Sequence, residues 1–149
     1  MYCSSTLRSA LSDVSKSADR GKKALKALQS GAKENDTTFR LQMNFKVGAE
    51  KMASAIADSV APRHNGSSNE VEQLKEMIFN GVATKGAAVK GTTMEFECSK
   101  GGVGVKVDGK EMGTVPSPGL AKAFCDVYLD ENGVSPTLKN SCLENCFGQ

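Results

Sequence analysis

Apolar or small residues recur at Leu7, Leu11, Val14, Ala18, Gly21, Leu25 and Leu28, in steps of four and three. Those steps draw one stripe along a helix, whose opposite side is Ser and Lys. Gly31 follows the last periodic residue and predicts the helix stop. The period then changes. Phe39, Leu41, Met43 and Phe45 alternate with Arg40, Gln42, Asn44 and Lys46, which places one set on each side of a sheet and predicts a strand over 39–45. Helical spacing returns at Ala49, Met52, Ile56 and Val60 until Pro62 ends the run.

Residues 64–69 read as a polar loop. Ser67 followed by Glu70 fits a capping box, in which hydroxyl and carboxylate satisfy amide donors left open at a helix start. Val71, Leu74, Ile78 and Val82 carry that helix to its close at Gly86. Met94, Phe96 and Cys98 alternate with polar neighbours, Gly101-Gly102 offers a turn, and Val103, Val105 and Val107 alternate again. Asp108-Gly109 is a strong hairpin signal, because the pair tolerates positive φ, and 112–115 is expected to pair back. Ser117-Pro118 and Ser135-Pro136 each join a hydroxyl cap to the residue best suited to the first helical position. Leu120, Phe124, Val127 and Tyr128 form the inner face of the first helix, and Leu138, Cys142 and Cys146 that of the second. The pattern predicts an α+β fold, an antiparallel sheet covered mainly on one face by helices.

Composition narrows the function classes. The chain has 149 residues, which suits a single domain spanning 1–149, and its 39% hydrophobic content and net charge of +2 suit a globule rather than a disordered segment. No stretch approaches the roughly 18 apolar residues of a membrane-spanning helix, and the N-terminus lacks the apolar core of a secretory signal. An intracellular protein is expected, cytoplasmic or organellar, in which the sequons at Asn35 and Asn65 stay bare. Residues 1–33 hold seven basic and two acidic residues, against two basic and four acidic in 117–149. That basic, Ser-rich opening reads as an amphipathic helix of the fold, with a plastid-type targeting segment as the competing reading. Lys22, Lys23 and Lys26 occur without interleaved aromatics, so a base-stacking nucleic-acid platform is not expected.

Candidate chemistry is sparse. Cys3, Cys98, Cys125, Cys142 and Cys146 lack the close paired spacings of a zinc or redox site and read as reduced, buried thiols. Cys142 and Cys146 stand four apart, but the sole histidine, His64, lies in a distant loop, so neither a metal nor another cofactor is expected. A Ser/His/Asp mechanism would have to recruit that same loop histidine. No glycine-rich phosphate cradle is present, and Gly101, Gly102 and Gly104 are accounted for by hairpin geometry.

A family resemblance rests on residues 91–147: the hairpin closed by Val107-Asp108-Gly109-Lys110, then Gly113, Leu120, Asp126-Val127-Tyr128-Leu129 and Val134-Ser135-Pro136-Thr137-Leu138-Lys139. This segment resembles the C-terminal half of the chalcone isomerase superfamily, whose enzymes close a chalcone to a flavanone and whose other members bind fatty acids or have no known catalytic role. The upstream order of strand, helix and helix looks like that family too.

The resemblance implies leading strands bearing an arginine and a threonine that serve the isomerase pocket, and Met1-Tyr2-Cys3 looks like the tail of the last of them. The tyrosine and asparagine of the plant enzymes' pocket helix would fall near Gly48 and Ala55, with Lys51 as anchor, and the hydroxyl residue of a later helix at Val127. Ring closure needs donors where enolate charge develops, and one such donor is typically worth about 10²–10³ in rate. With several absent together, the resemblance implies a non-catalytic protein that holds a small hydrophobic ligand, a fatty acid or flavonoid-like molecule, between sheet and helices. The implied lining is Lys51, Met52, Ile56, Val127 and Tyr128. The alternatives are a chalcone–flavanone isomerase, an intramolecular lyase, and a scaffold whose open sheet edge another chain completes, a homodimer included.

Overall fold

The computed structural model describes residues 20–34, 36–130, 132–138 and 140. The stripe positions Leu7, Leu11, Val14 and Ala18, and the thiols Cys3, Cys142 and Cys146, lie outside the described residues.

Where the sequence alternates with period two, strands form. They are β1 (Thr37–Gln42), β4 (Thr93–Ser99), β5 (Gly102–Val107) and β6 (Lys110–Val115), and β2 (Val47–Gly48) and β3 (Ala87–Ala88) pair separately as a two-stranded ladder. The main sheet runs in the order β1-β4-β5-β6, every pair antiparallel. Asp108 at φ +50° and Gly109 at φ +82° make the two-residue β5–β6 turn, in which both central residues need positive φ. Asp108 Oδ1 also accepts from Thr93 N at 3.0 Å, tying the turn back to β4.

One sheet face is dry and the other wet. Phe39, Met94, Phe96, Cys98, Val103, Val105 and Val107 are buried on the inner face. The outer face carries the cross-strand pairs Arg40–Glu95, at 3.7 Å, and Lys106–Glu97, at 2.8 Å. Helices cover the inner face: α1 (Arg20–Glu34), α2 (Ala49–Val60), α3 (Ser68–Ala83) and α4 (Pro118–Leu129), with a 3-10 turn at Ala61–Arg63. The expected α+β architecture is thus the observed one.

The innermost helix is α4, with eight of its residues buried. Its Phe124 meets Phe39, Phe96 and Tyr128 at ring-centroid distances of 5.7, 4.6 and 5.7 Å. Outside it lies α1, whose Leu28 and Ala32 are buried. Against β5 and β6 sits α3, drawn close because Gly81 has no side chain: a Cβ there would fall 2.5 Å from Val107 Cγ2.

Three local expectations need correction. The first helix does not stop at Gly31 but continues to Glu34, and the Thr37 hydroxyl donates to the Ala32 carbonyl at 3.1 Å, satisfying an end group that a glycine cap would have addressed. The strand expected over 39–45 ends at Gln42, because the chain bends at 44–45 before pairing again through β2. The capping box is half made. Ser67 Oγ accepts from Asn69 N at 3.2 Å, but the Glu70 carboxylate turns to other partners. At the two Ser-Pro sites the hydroxyl caps hold: Ser117 Oγ accepts from Leu120 N at 3.2 Å, and Ser135 Oγ from Leu138 N at 3.3 Å.

Candidate functional site

The far end of β4, the C-terminal turn of α1 and the first two turns of α4 meet around a cleft of about 440 Å3. That volume lies within the range of roughly 300–1,000 Å3 usual for small-molecule sites. Its buried lining is small and apolar: Ala32 from α1, Cys98 from β4, and Ala121 and Cys125 one turn apart on α4. Small side chains leave the space, since Leu or Phe at Ala121 and Cys125 would fill the gap between α4 and the strand end. The rim is charged, with Lys33, Glu34, Lys100 and Lys122.

Both floor cysteines are free thiols, and Cys98 lies close enough to Cys125 to feel it. That contact first, and burial second, pushes the Cys98 thiol well above the ordinary range. Cys125 Sγ also points to the Ala32 carbonyl at 3.8 Å. Enclosed, the pair is a soft apolar floor rather than a nucleophile. On the rim, Lys33 Nζ lies 2.8 Å from Asp126 Oδ1, whereas Lys100 and Lys122 make no ion pair among the described residues. The cleft therefore joins an apolar interior to two ammonium groups that have no ion-pair partner among the described residues.

A second, polar cleft of about 370 Å3 lies beside it and shares Lys33 and Lys122 as its wall. Here Ser117 Oγ donates to Glu70 Oε2 at 2.8 Å, and His64 Nε2 lies 2.6 Å from the same oxygen. These contacts hold the Glu70 carboxyl below its ordinary value, the Ser117 hydrogen bond contributing most, against a smaller opposing effect of burial. With the carboxylate between them, Ser117 and His64 do not form a nucleophile–base pair; the cluster joins the starts of α3 and α4. Beyond it, Arg63 donates from Nε to Asp130 Oδ2 at 2.7 Å and from Nη1 to the Ser59 carbonyl at 2.7 Å, fastening the end of α2 to the end of α4. Among the described residues no group of His, Cys, Asp and Glu is arranged to hold a metal ion.

The five residues implied by the family resemblance lie elsewhere. Ile56, Val127 and Tyr128 belong to the hydrophobic core, Met52 packs against it half-buried, and Lys51 is exposed on the first turn of α2. Tyr128 stacks on Phe39 at 5.0 Å and 23°, and burial pushes its phenol up to about 12. None of the five lines the apolar cleft or the polar one. In the sequence Cys98 and Cys125 stand 27 positions apart, with no spacing signal that joins them. The available signal was the small pair Ala121 and Cys125 at i, i+4 beside Lys122, on a helix whose other inner positions are large.

An antiparallel sheet with helices on one face and an apolar cleft with a charged rim define an α+β protein. The model of the chalcone isomerase-like family matches residues 18–144, and the chain belongs to that family. Among solved structures, the fatty-acid binding protein AtFAP1 of Arabidopsis thaliana is similar at a TM-score of 0.69 and 20% identity, over 96% of this chain and 73% of that one. At that identity the likeness shows the fold. No curated protein matches the chain. No helix among the described residues is long and apolar enough to cross a membrane.

Proposed function

We propose that this chalcone isomerase-like chain is a non-catalytic binding protein for a small hydrophobic molecule with an anionic head, a fatty acid being the class that fits best. The observation that carries the reading is the cleft between α1, β4 and α4, where a buried apolar floor opens onto Lys100 and Lys122, which make no ion pair among the described residues. An acyl chain would lie over Cys98, Ala121 and Cys125, and its carboxylate would meet an ammonium at the rim, where both charges stay partly hydrated and neither bears the full cost of burial. The fatty-acid binding protein of the same fold supports this ligand class. This cleft is a better candidate than the set around Lys51 and Tyr128, because the aromatic and aliphatic members of that set are already packed into or against the hydrophobic core.

The test is calorimetric titration of the purified chain with decanoate. Saturable binding is expected. Ala121→Phe should abolish it by filling the floor, and Lys100→Ala with Lys122→Ala should weaken it about fivefold, as a partly exposed ion pair would. Absence of saturable binding, or binding indifferent to all three changes, would sink the proposal. In parallel, a chalcone incubated with the chain should cyclise at the rate seen in buffer alone.

A further inference from the structure

Three large hydrophobic side chains are exposed among the described residues, and two of them share one arm: Phe45, 68% exposed, and Val89, 39% exposed. Single exposed apolar residues are ordinary; a clustered pair is the informative case. The arm is built by the backbone. Below it, β1 and β4 end on the pair Gln42↔Thr93, Met43 N donates to the Thr92 carbonyl at 2.9 Å, and Gly91 N donates to the Met43 carbonyl at 2.8 Å. Above it, β2 and β3 pair Val47 with Ala88. Residues 44–46 therefore face residues 89–90 across a short interruption tied at both ends, so Phe45 is held outward by its own backbone.

Charge identifies the partner. Lys46 and Lys90 flank the two apolar side chains and are exposed, and neither 42–48 nor 86–93 contains an acidic residue. The nearest acids along the chain on the downstream sides are already matched to cations: Glu50 lies 3.3 Å from Lys75, and Glu95 pairs with Arg40. Lys51, exposed on the turn that follows β2, adds a further positive charge. An aromatic ring projecting between lysines suits the boundary of an anionic bilayer, where the ring enters the acyl edge and the ammonium groups stay among the phosphates.

We propose that the arm carrying Phe45, Lys46, Val89 and Lys90 docks the protein on an anionic lipid surface. The proposal is independent of the cleft, because Thr93 and Ser99 are opposite ends of β4, about 20 Å apart at the usual rise of a strand. The experiment is co-sedimentation of the full chain with sucrose-loaded vesicles. Binding is expected to vesicles of phosphatidylcholine mixed with phosphatidylglycerol, and it should fall to background on pure phosphatidylcholine and at about 1 M salt. Phe45→Ala should lower the partition coefficient about tenfold, and Lys46→Ala with Lys90→Ala about tenfold or more. Phe45→Trp should retain binding. Thermal midpoints should match the parent chain, since all these side chains are exposed. Equal binding to both vesicle types, no binding to the anionic ones, or binding unchanged in the Phe45 and lysine variants would each overturn the proposal. So would a dimer on size exclusion that Phe45→Ala dissociates, which would assign the arm to self-association instead.

Discussion

Cys98 shows how environment reassigns a residue type. A free thiol in water is partly ionised at mildly alkaline pH and reacts readily with alkylating agents. Cys98 is 3% exposed and Cys125 1%, and each sits against the other's sulfur. Ionising Cys98 would place an uncompensated charge beside a second sulfur in an apolar floor, so the thiol stays protonated. Both cysteines should therefore be alkylated by iodoacetamide at least about tenfold more slowly in the native chain than in urea. Mass spectrometry of the peptides bearing each residue measures the two rates. Equal rates would mean that the floor is open and charged, and the reading of the cleft as apolar would fail with it.

Between elements, polar contacts do what the apolar core cannot: they fix where the helices begin and end. Glu70 receives Ser117 Oγ and meets His64 Nε2, so the starts of α3 and α4 and the loop between α2 and α3 converge on one carboxylate. Because its folded-state carboxyl lies below the ordinary 4.5, the charged form favours the folded chain. That contribution is complete above 4.5 and disappears as pH falls through the depressed folded value, where native Glu70 takes up its proton. Glu70→Gln removes the charge while keeping the shape. The parent chain should melt at a higher temperature than this variant at neutral pH, and the difference should shrink towards zero well below pH 4.5; a difference independent of pH would exclude the carboxylate's charge as its source.

The same elements show what the sequence discloses. Strands β4 to β6 and the cap of α4 are legible because their signals are local: alternation, Asp108-Gly109, and Ser117-Pro118. The end of α1 is not, because Thr37, five residues beyond Ala32, satisfies its last turn where a glycine was expected to do so. Glu70 is similar, since position 3 of a capping box and a partner 47 residues away compete for one side chain, and tertiary contact wins. The cleft was the least legible feature. Its walls come from three elements far apart in the chain, and its defining property is the absence of bulk at Ala32, Ala121 and Cys125, which no hydropathy pattern records.

At the scale of the whole molecule, α1 is the outermost helix over the core, resting on α4. Among the contacts that hold its C-terminal turn are Lys33 to Asp126, Thr37 to the Ala32 carbonyl and Cys125 to the same carbonyl. The cleft lies on that seam, so a bound acyl chain would touch α1, α4 and β4 at once and fill space that is otherwise unpacked. Binding to the folded state alone raises stability by mass action, about 2.7 kcal/mol at a hundredfold excess of ligand over Kd. For a chain of this size that corresponds to a rise in Tm of about 5–10 °C. Decanoate should produce such a rise in the parent chain and a smaller one in the variant lacking Lys100 and Lys122, with slowed amide exchange concentrated in the last turn of α1. Differential scanning fluorimetry and hydrogen-exchange mass spectrometry read the two effects. A fall in Tm shared by the parent and the lysine variant would show decanoate acting as a detergent on the unfolded chain, leaving the cleft without a ligand of this class.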